Sequence, residues 1–276
     1  MINDIAIHLT GSGEDAFRIG EAAAVARTLD ARLTGIYLHQ LPEVLAITDP
    51  SGSAFLRRLV AQSEAEAEAA VKAADQDLRR FGLPYEVRRL DVYPRQAGEA
   101  MSNLVRQSDL FVGTRPYGDP DKAQAIEEAV LFQSGRPCLF VPPSYQRRSV
   151  CENVLLAWKN TPEAARAVAD AMPLLKRAKS VVVAIVDEAL GAPEEQGNAP
   201  DEDVGRYLSR HGIKADVHII DGWTNTGAAI LNEAARTAAH LIVMGAYGHS
   251  RLREWLLGGA TREVLSSAPV PVLVSH

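Results

Sequence analysis

The sequence runs through one order of apolar segments twice, and this internal repeat limits the fold more than any other feature. The first half opens with an apolar run at residues 5–9, and the second half opens with a similar run at residues 154–158. Thr161 and Pro162, directly after the second run, are typical of a helix N-cap and a first helical position. The same kinds of segment then follow in the same order in each half, so we expect two similar domains.

Each half is predicted to alternate strands with helices. The predicted strands are apolar runs bounded by glycine, proline or polar residues: 5–9, 33–38, 85–90, 110–113 and 137–141, then 154–158, 181–186, 215–220, 241–245 and 269–274. The segments between them carry apolar residues at helical spacing, and the halves differ most at residues 41–82 and 187–212. Such an alternation predicts an α/β fold with right-handed crossovers, in which an open, mostly parallel five-stranded sheet carries helices on both faces.

A proline-led polar segment at residues 142–148 separates the two repeats and has the character of a domain linker. We therefore predict an N-terminal domain at residues 1–145 and a C-terminal domain at residues 150–276. Ligands of such sheets are expected beyond the carboxyl ends of the strands.

Composition and charge exclude several classes of protein. The net charge is −6 with interspersed signs, so no basic stripe favours nucleic acid or an anionic membrane. No stretch approaches about 18 uninterrupted apolar residues, and the N-terminus lacks a signal-peptide pattern. Cys138 and Cys151 form neither a CxxC motif nor a metal-ligand spacing, which favours a reducing compartment. A cytoplasmic protein without nucleic-acid or membrane partners is expected.

A glycine-rich loop after the fourth strand of the second half is the most specific local feature. Gly245 and Gly248 permit a tight turn and a close approach of backbone to a ligand. Gly258 and Gly259 stand where the final helix begins, and helix N-termini attract anions through unpaired amides and the helix dipole. The loop is therefore a candidate phosphate site, although paired glycines after a strand also serve ordinary turns.

The spacing of Gly245, Gly248 and Gly258, followed by residues 261–265 and the terminal strand, resembles the G-2x-G-9x-G-[S/T] signature of ATP-binding universal stress proteins. The resemblance extends over both repeats and implies two tandem Rossmann-like domains. It also implies that the final strand of each domain is a pairing edge, through which the two repeats form an internal pseudo-dimer or two chains form a homodimer.

The same resemblance implies the contacts of a bound ATP or related adenine nucleotide. Backbone near Ala157, Lys159 and Val186 would surround adenine and ribose. The loop from Gly245 to Thr261 would hold the phosphates. The nucleotide-binding residues of this second group are Gly245, Gly248, His249, Gly258, Gly259, Ala260 and Thr261, with His249 a candidate hydrogen-bond donor to phosphate.

The sequence departs from the family pattern at two positions of this site. Gly259 stands where a hydroxyl residue is expected, and Thr261 is its candidate substitute. Lys159 stands where family members that bind ATP usually carry an aspartate, so a cation replaces an acceptor. The first half has lost more of the pattern, because residues 124–127 replace residues 258–261 and put Glu127 at the position of Thr261, where a carboxylate would repel phosphate.

Neither a catalytic constellation nor a metal site is evident. The seven histidines have no HxH or HxxxH spacing, and no GxSxG, Walker or Cys/His pattern appears. The leading hypothesis is a stress-response module that binds ATP in its C-terminal domain and is not an enzyme. The alternatives are an interaction or dimerisation protein of the same fold that binds no nucleotide, and a slow ATPase.

Overall fold

A computed structural model describes residues 1–43, 50–118, 125–146, 152–187, 200–246 and 259–276 of the chain. Ten strands of this part alternate with eight α-helices. The strands are β1 (Asp4–Leu9), β2 (Arg32–Gln40), β3 (Tyr85–Val92), β4 (Leu110–Thr114), β5 (Cys138–Val141), β6 (Asn153–Ala157), β7 (Ser180–Val186), β8 (Ala215–Ile220), β9 (Leu241–Gly245) and β10 (Val272–Ser275). The helices are α1 (Asp15–Leu29), α2 (Pro50–Arg79), α3 (Ala97–Val105), α4 (Ala125–Gln133), α5 (Pro162–Leu175), α6 (Pro200–Arg210), α7 (Thr226–Arg236) and α8 (Ala260–Ser267).

The described strands form one continuous sheet in the order β3-β2-β1-β4-β5-β10-β9-β6-β7-β8. Neighbours within each half are parallel, whereas β5 and β10 pair antiparallel at the centre. The order reads the same from both ends when each half's strands are numbered from its own start. The predicted α/β fold with two tandem, mostly parallel five-stranded units is therefore confirmed.

Local sequence signals explain where several elements begin. Thr161 caps α5, because its side-chain oxygen accepts a hydrogen bond from the Ala164 amide at 3.3 Å, and Pro162 is the first helical residue. Asn225 caps α7 in the same way, through the Ala228 amide at 3.1 Å. Because these caps satisfy otherwise orphaned amides, the predicted starts of the second-half helices are fixed locally.

Buried parallel strands make up the core. β4 and β5 are buried at every position, and β6 is buried at all but its first residue, as expected for strands covered by helices on both faces. The long segment at residues 41–82 contains α2, a 30-residue helix that is mostly exposed over its first half. Among the described helices, none is both long and apolar enough to cross a membrane.

Candidate functional site

The sheet of the second half has a switch point between β6 and β9. The chain leaves β6 toward β7 and β8 on one side and later returns to β9 on the other side. Ala157, the last residue of β6, pairs in register with Met244 of β9, one residue before that strand ends at Gly245. Connections that diverge from such a point open a crevice at the carboxyl ends of the strands, where ligands of open α/β sheets bind.

Gly245 brings the end of β9 against the start of α5. A Cβ atom at this position would lie 2.5 Å from the Ala164 nitrogen and 2.6 Å from the Glu163 carbonyl carbon. These are backbone atoms held in the first turn of a capped helix, so they have little freedom to move aside. Glycine is therefore required here for the close approach of β9 to α5, whereas the approach of backbone to a ligand expected from the sequence remains a prediction.

The start of α8 forms the other wall that carries predicted residues. Gly259 is the N-cap of α8 and makes no side-chain cap hydrogen bond, and Ala260 and Thr261 are the first two helical residues. Thr261 is buried. An N-terminus without a side-chain cap offers first-turn amides and the positive end of the helix dipole to an anion.

The predicted residues for adenine and ribose lie at the ends of β6 and β7. Ala157 is buried, and Val186, the last residue of β7, is half-buried. Lys159 is exposed in the turn between β6 and α5, where its carbonyl accepts a hydrogen bond from the Thr161 amide at 2.7 Å. Gly248, His249 and Gly258 fall outside the described residues, so their predicted contacts remain predictions.

The equivalent crevice of the first half is filled by its own side chains. His8 of β1 and Glu127 of α4 are both buried, and His8 Nδ1 lies 2.7 Å from the Glu127 carboxylate. Beside them Arg18 donates to Asp15, whose carboxylate also accepts from the amides of Thr10 and Gly11. Side chains of the first half thus already fill its crevice, and the Asp15 carboxylate takes the Thr10 and Gly11 amides.

Strand register shows which residues of the second half replace this filling pair. Ile5 pairs with Leu110 as Val154 pairs with Leu241, so His8 corresponds to Ala157. Glu127 precedes the first residue of β5 by as many residues as Thr261 precedes the first residue of β10, so these two residues are also counterparts. The second half therefore has two small residues where the first half has a buried imidazole and carboxylate.

The same register corrects one detail of the repeat correspondence. The fourth strands predicted at 110–113 and 241–245 both end in glycine, which would align Gly113 with Gly245, but strand pairing aligns Gly245 with Thr114. Gly113 serves a different contact, because a Cβ there would lie 2.6 Å from the Phe111 ring. A one-residue offset cannot be read from two short apolar runs that both end in glycine.

Two buried polar groups near the ends of β6 and β9 carry no signal that singles them out in the sequence. The Trp158 indole nitrogen and one Glu163 carboxylate oxygen are buried without a hydrogen-bond partner in the described part of the chain. A glutamate in a first helical turn is an ordinary helix-start residue, and a tryptophan after a strand is an ordinary packing residue. Only the tertiary structure shows that both lie buried beside the switch point and lack partners.

His39 makes a triad-like contact at the carboxyl end of β2 that sequence reasoning also missed. Its two ring nitrogens lie 2.9 Å from the Asp91 carboxylate and 2.8 Å from the Ser63 hydroxyl. An Arg89 guanidinium nitrogen also lies 2.9 Å from the ring nitrogen that faces Asp91. The Asp91 carboxylate can only accept, so this ring nitrogen donates to it, and Arg89 joins the same cluster through its own hydrogen bond to Asp91.

Arg89 also pairs with Glu64 at 2.7 Å and with Asp91 at 2.8 Å. The hydrogen bond to His39 is the main cause that lowers the pKa of Asp91, and the bond to Arg89 is the main cause that lowers the pKa of Glu64. We interpret these ion pairs and hydrogen bonds as contacts that stabilise the packing of α2 on β3. Within the described ranges, no group of three or more His, Cys, Asp or Glu side chains could hold a metal ion.

Comparison with known sequences identifies one family. The sequence model of the universal stress protein family matches residues 151–276, which include β6 to β10 and the whole candidate site. A universal stress protein from Synechocystis is 35% identical over 68 residues, a match that covers 25% of this chain and 23% of that protein.

Solved structures with the same fold extend over both halves. A universal stress protein from Archaeoglobus fulgidus covers 99% of this chain and 96% of its own length, with a TM-score of 0.77 and 20% identity. A functionally unknown protein from Pseudomonas aeruginosa PAO1 covers 99% and 92%, with a TM-score of 0.61 and 17% identity. At these identities the likeness is one of fold.

Proposed function

Because the second half of this chain matches the sequence model of the universal stress protein family and the same fold extends over both halves, we propose that the chain is a stress-response module of that family whose C-terminal half binds an adenine nucleotide, with ATP as the first candidate. The nucleotide would lie in the crevice between β6 and β9. The observation that carries the proposal is the exchange of the filling pair His8 and Glu127 for Ala157 and Thr261. This exchange removes an imidazole and a carboxylate from the second-half crevice, where α8 starts at a glycine that makes no side-chain cap hydrogen bond.

Each group of residues has a separate role in this proposal. The amides at Gly259, Ala260 and Thr261 would hold phosphate, because they lie at a helix start whose N-cap residue, a glycine, makes no side-chain cap hydrogen bond. Gly245 would keep the strand end close to α5, and Lys159, exposed at the rim, would meet a phosphate as a point charge. One site per chain follows, since the first-half crevice is occupied by its own carboxylates.

Calorimetric titration of the full chain with ATP tests the proposal. Installing the first-half pair in the second half, as Ala157→His with Thr261→Glu, should abolish binding, because it fills the crevice and adds a charge that repels phosphate. Thr261→Ser is the matched control and should bind as the native chain does. Saturable ATP binding that survives the double substitution would contradict the assignment of the crevice.

The motif supplies a second, independent test of the loop. Gly248→Val with Gly258→Val should abolish ATP binding, because side chains would intrude where backbone must meet phosphate. Mass spectrometry of nucleotide that co-purifies with the protein would identify the natural ligand. Detection of an adenine nucleotide at about one per chain is the expected result.

A second candidate function is an interaction module of the same fold that binds no nucleotide. The observations that favour it are the two departures from the family pattern, Lys159 and Gly259. Absence of ATP binding to a folded chain would support this candidate over the first. We further propose that the protein acts in the cytoplasm and turns over little or no ATP. Sustained phosphate release that Gly258→Val removes would instead indicate a slow ATPase.

A further inference from the structure

The chain that follows β4 in the first half contacts α8, the helix whose start belongs to the proposed nucleotide site. Arg262 directly follows Thr261 in α8, and its guanidinium lies 5.3 Å from the centre of the Tyr117 ring, within the range of cation–π attraction. Gly118 lies against the other end of the same helix, where a Cβ would be 2.6 Å from the Ser266 carbonyl oxygen. One first-half segment therefore contacts α8 near both its start and its end.

Tyr117 is anchored to α4 of the first half. Its side chain is buried, and its hydroxyl donates a hydrogen bond to the Glu128 carboxylate. Strand pairing aligns Thr114 with Gly245, so three residues further on Tyr117 stands at the position of Gly248. In place of a glycine of the predicted phosphate loop, the first half thus carries an aromatic ring that contacts the second half.

A second series of contacts leads from α4 to the beginning of the glycine-rich loop. The rings of Phe132 and His276 meet edge to face, with their centres 5.0 Å apart. His276 Nδ1 donates to the Ala246 carbonyl at 3.2 Å, and Ala246 directly follows Gly245. Glu128 and Phe132 are four residues apart in α4, so they lie on one face of that helix. One face of α4 therefore supports both ends of the loop that the structure describes.

We propose that the N-terminal half positions the nucleotide site of the C-terminal half: α4, through Tyr117 and Phe132, holds the two ends of the glycine-rich loop in the arrangement that binds phosphate. This inference rests on the proposed function and assigns the first half a role in it. A loop whose ends are already held loses less conformational entropy when a ligand orders it, so these contacts raise affinity without touching the ligand. Coupling between separate parts of a protein typically changes affinity by about 5- to 150-fold.

Calorimetric titration of full-length variants with ATP tests the positioning role. Tyr117→Leu and Phe132→Leu each remove a ring and should each weaken ATP binding by about fivefold or more. Tyr117→Phe keeps the ring against Arg262 and should recover most of the affinity that Tyr117→Leu loses. Phe81→Leu is the matched control and should leave ATP affinity unchanged, because the contact of the Phe81 ring with Arg27, at 5.2 Å, is of the same kind but lies within the first half.

A double-mutant cycle separates positioning from a direct contact of Arg262 with phosphate. If Arg262 acts through Tyr117, Arg262→Gln and Tyr117→Leu together should weaken ATP binding no more than the stronger of the two single substitutions. Circular dichroism confirms that each variant is folded. Additive losses in the cycle, or native ATP affinity in both Tyr117→Leu and Phe132→Leu, would overturn the inference.

Hydrogen exchange of the ligand-free chain gives a measurement that does not depend on ATP. Tyr117→Leu should speed the exchange of amides in α8 and leave exchange in α6, the internal reference, unchanged. Exchange in α8 that stays at the native rate, or that rises only as much as in α6, overturns the inference. Failure of the native chain to bind ATP would contradict the proposed function instead, and the exchange rates would still test whether the first half holds α8.

Discussion

Buried carboxyl groups in the N-terminal half are held in two different ways. Glu127 meets the His8 imidazole at 2.7 Å, and Asp15 is surrounded by Arg18 and loop amides, so both have partners. Glu21, on the same helix as Asp15, has no hydrogen-bond partner among the residues that the structure describes. Paired acids fill the first-half crevice, whereas both oxygens of the Glu21 carboxyl are buried without a hydrogen-bond partner among the described residues. A residue's burial therefore says little about its role until its partners are known.

The unpaired state of Glu21 predicts a pH dependence of stability. Its pKa rises from 4.5 to about 8 on folding, so between these values the folded chain holds a proton that the unfolded chain has released. Stability contributed by this group therefore falls as pH rises from about 4.5 to about 8 and stays low above that. Each pKa unit corresponds to about 1.4 kcal/mol, so the loss amounts to a few kcal/mol.

Glu21→Gln should remove this dependence of stability on pH. The difference in free energy of unfolding, variant minus native chain, should therefore be larger at about pH 8 than at about pH 5. Urea unfolding at the two pH values measures the difference, and Glu68→Gln, on an exposed helix surface, should follow the native chain. Parallel pH profiles of the native chain and Glu21→Gln would show that Glu21 titrates normally.

At the scale of elements, the candidate site is an arrangement of a strand end and two helix starts. β9 ends against the first turn of α5 at Gly245, and α8 starts at Gly259 without a side-chain cap. α5 also packs against β9 and β10, so one helix contacts both the crevice and the centre of the sheet. A change in how β9 meets α5 should therefore alter both stability and the crevice.

Gly245→Ala should destabilise the chain by about 1–3 kcal/mol, the usual cost of inserting a methyl group into a packed region. Its Cβ would meet backbone atoms of α5 at 2.5 and 2.6 Å. Gly205→Ala, in α6, is the matched control, because its Cβ would make an ordinary contact of 3.5 Å with Val217 of β8. Helix propensity should make the control neutral or more stable by up to about 1 kcal/mol. Denaturant unfolding that ranks the two variants equally would contradict this account of Gly245.

At the scale of the whole molecule, the two halves are joined by the antiparallel pair β5 and β10. Leu139 faces Leu273 across this pair, and both are fully buried. The resemblance predicted the last strands as pairing edges, and the repeat-to-repeat contact is confirmed. Because each edge is used within the chain, a homodimer would need another surface, such as the outer strands β3 and β8.

The shared sheet predicts that the halves unfold together. The three tryptophans, Trp158, Trp223 and Trp255, all lie after the linker, so tryptophan fluorescence reports the second half, whereas circular dichroism reports both halves. We expect the two transitions to coincide. Leu139→Ala, in the first half, should lower the free energy of unfolding by about 2–5 kcal/mol. It should lower the unfolding midpoint measured by tryptophan fluorescence as much as the midpoint measured by circular dichroism. A fluorescence midpoint that the substitution leaves in place would show that the halves unfold independently.

The sequence by itself determined the class and order of the elements, because apolar periodicity and caps such as Thr161 act over a few neighbouring residues. It also indicated Gly245 as a close-approach position and Glu127 as an obstacle to phosphate. It could not show that His8 contacts Glu127, that Ala157 and Thr261 stand together in place of this pair, or that Gly245 aligns with Thr114. These relations depend on strand register and on contacts between distant segments. Only the tertiary structure decided that one crevice is filled and that Glu21 is buried alone, because burial and pairing arise when separate elements pack.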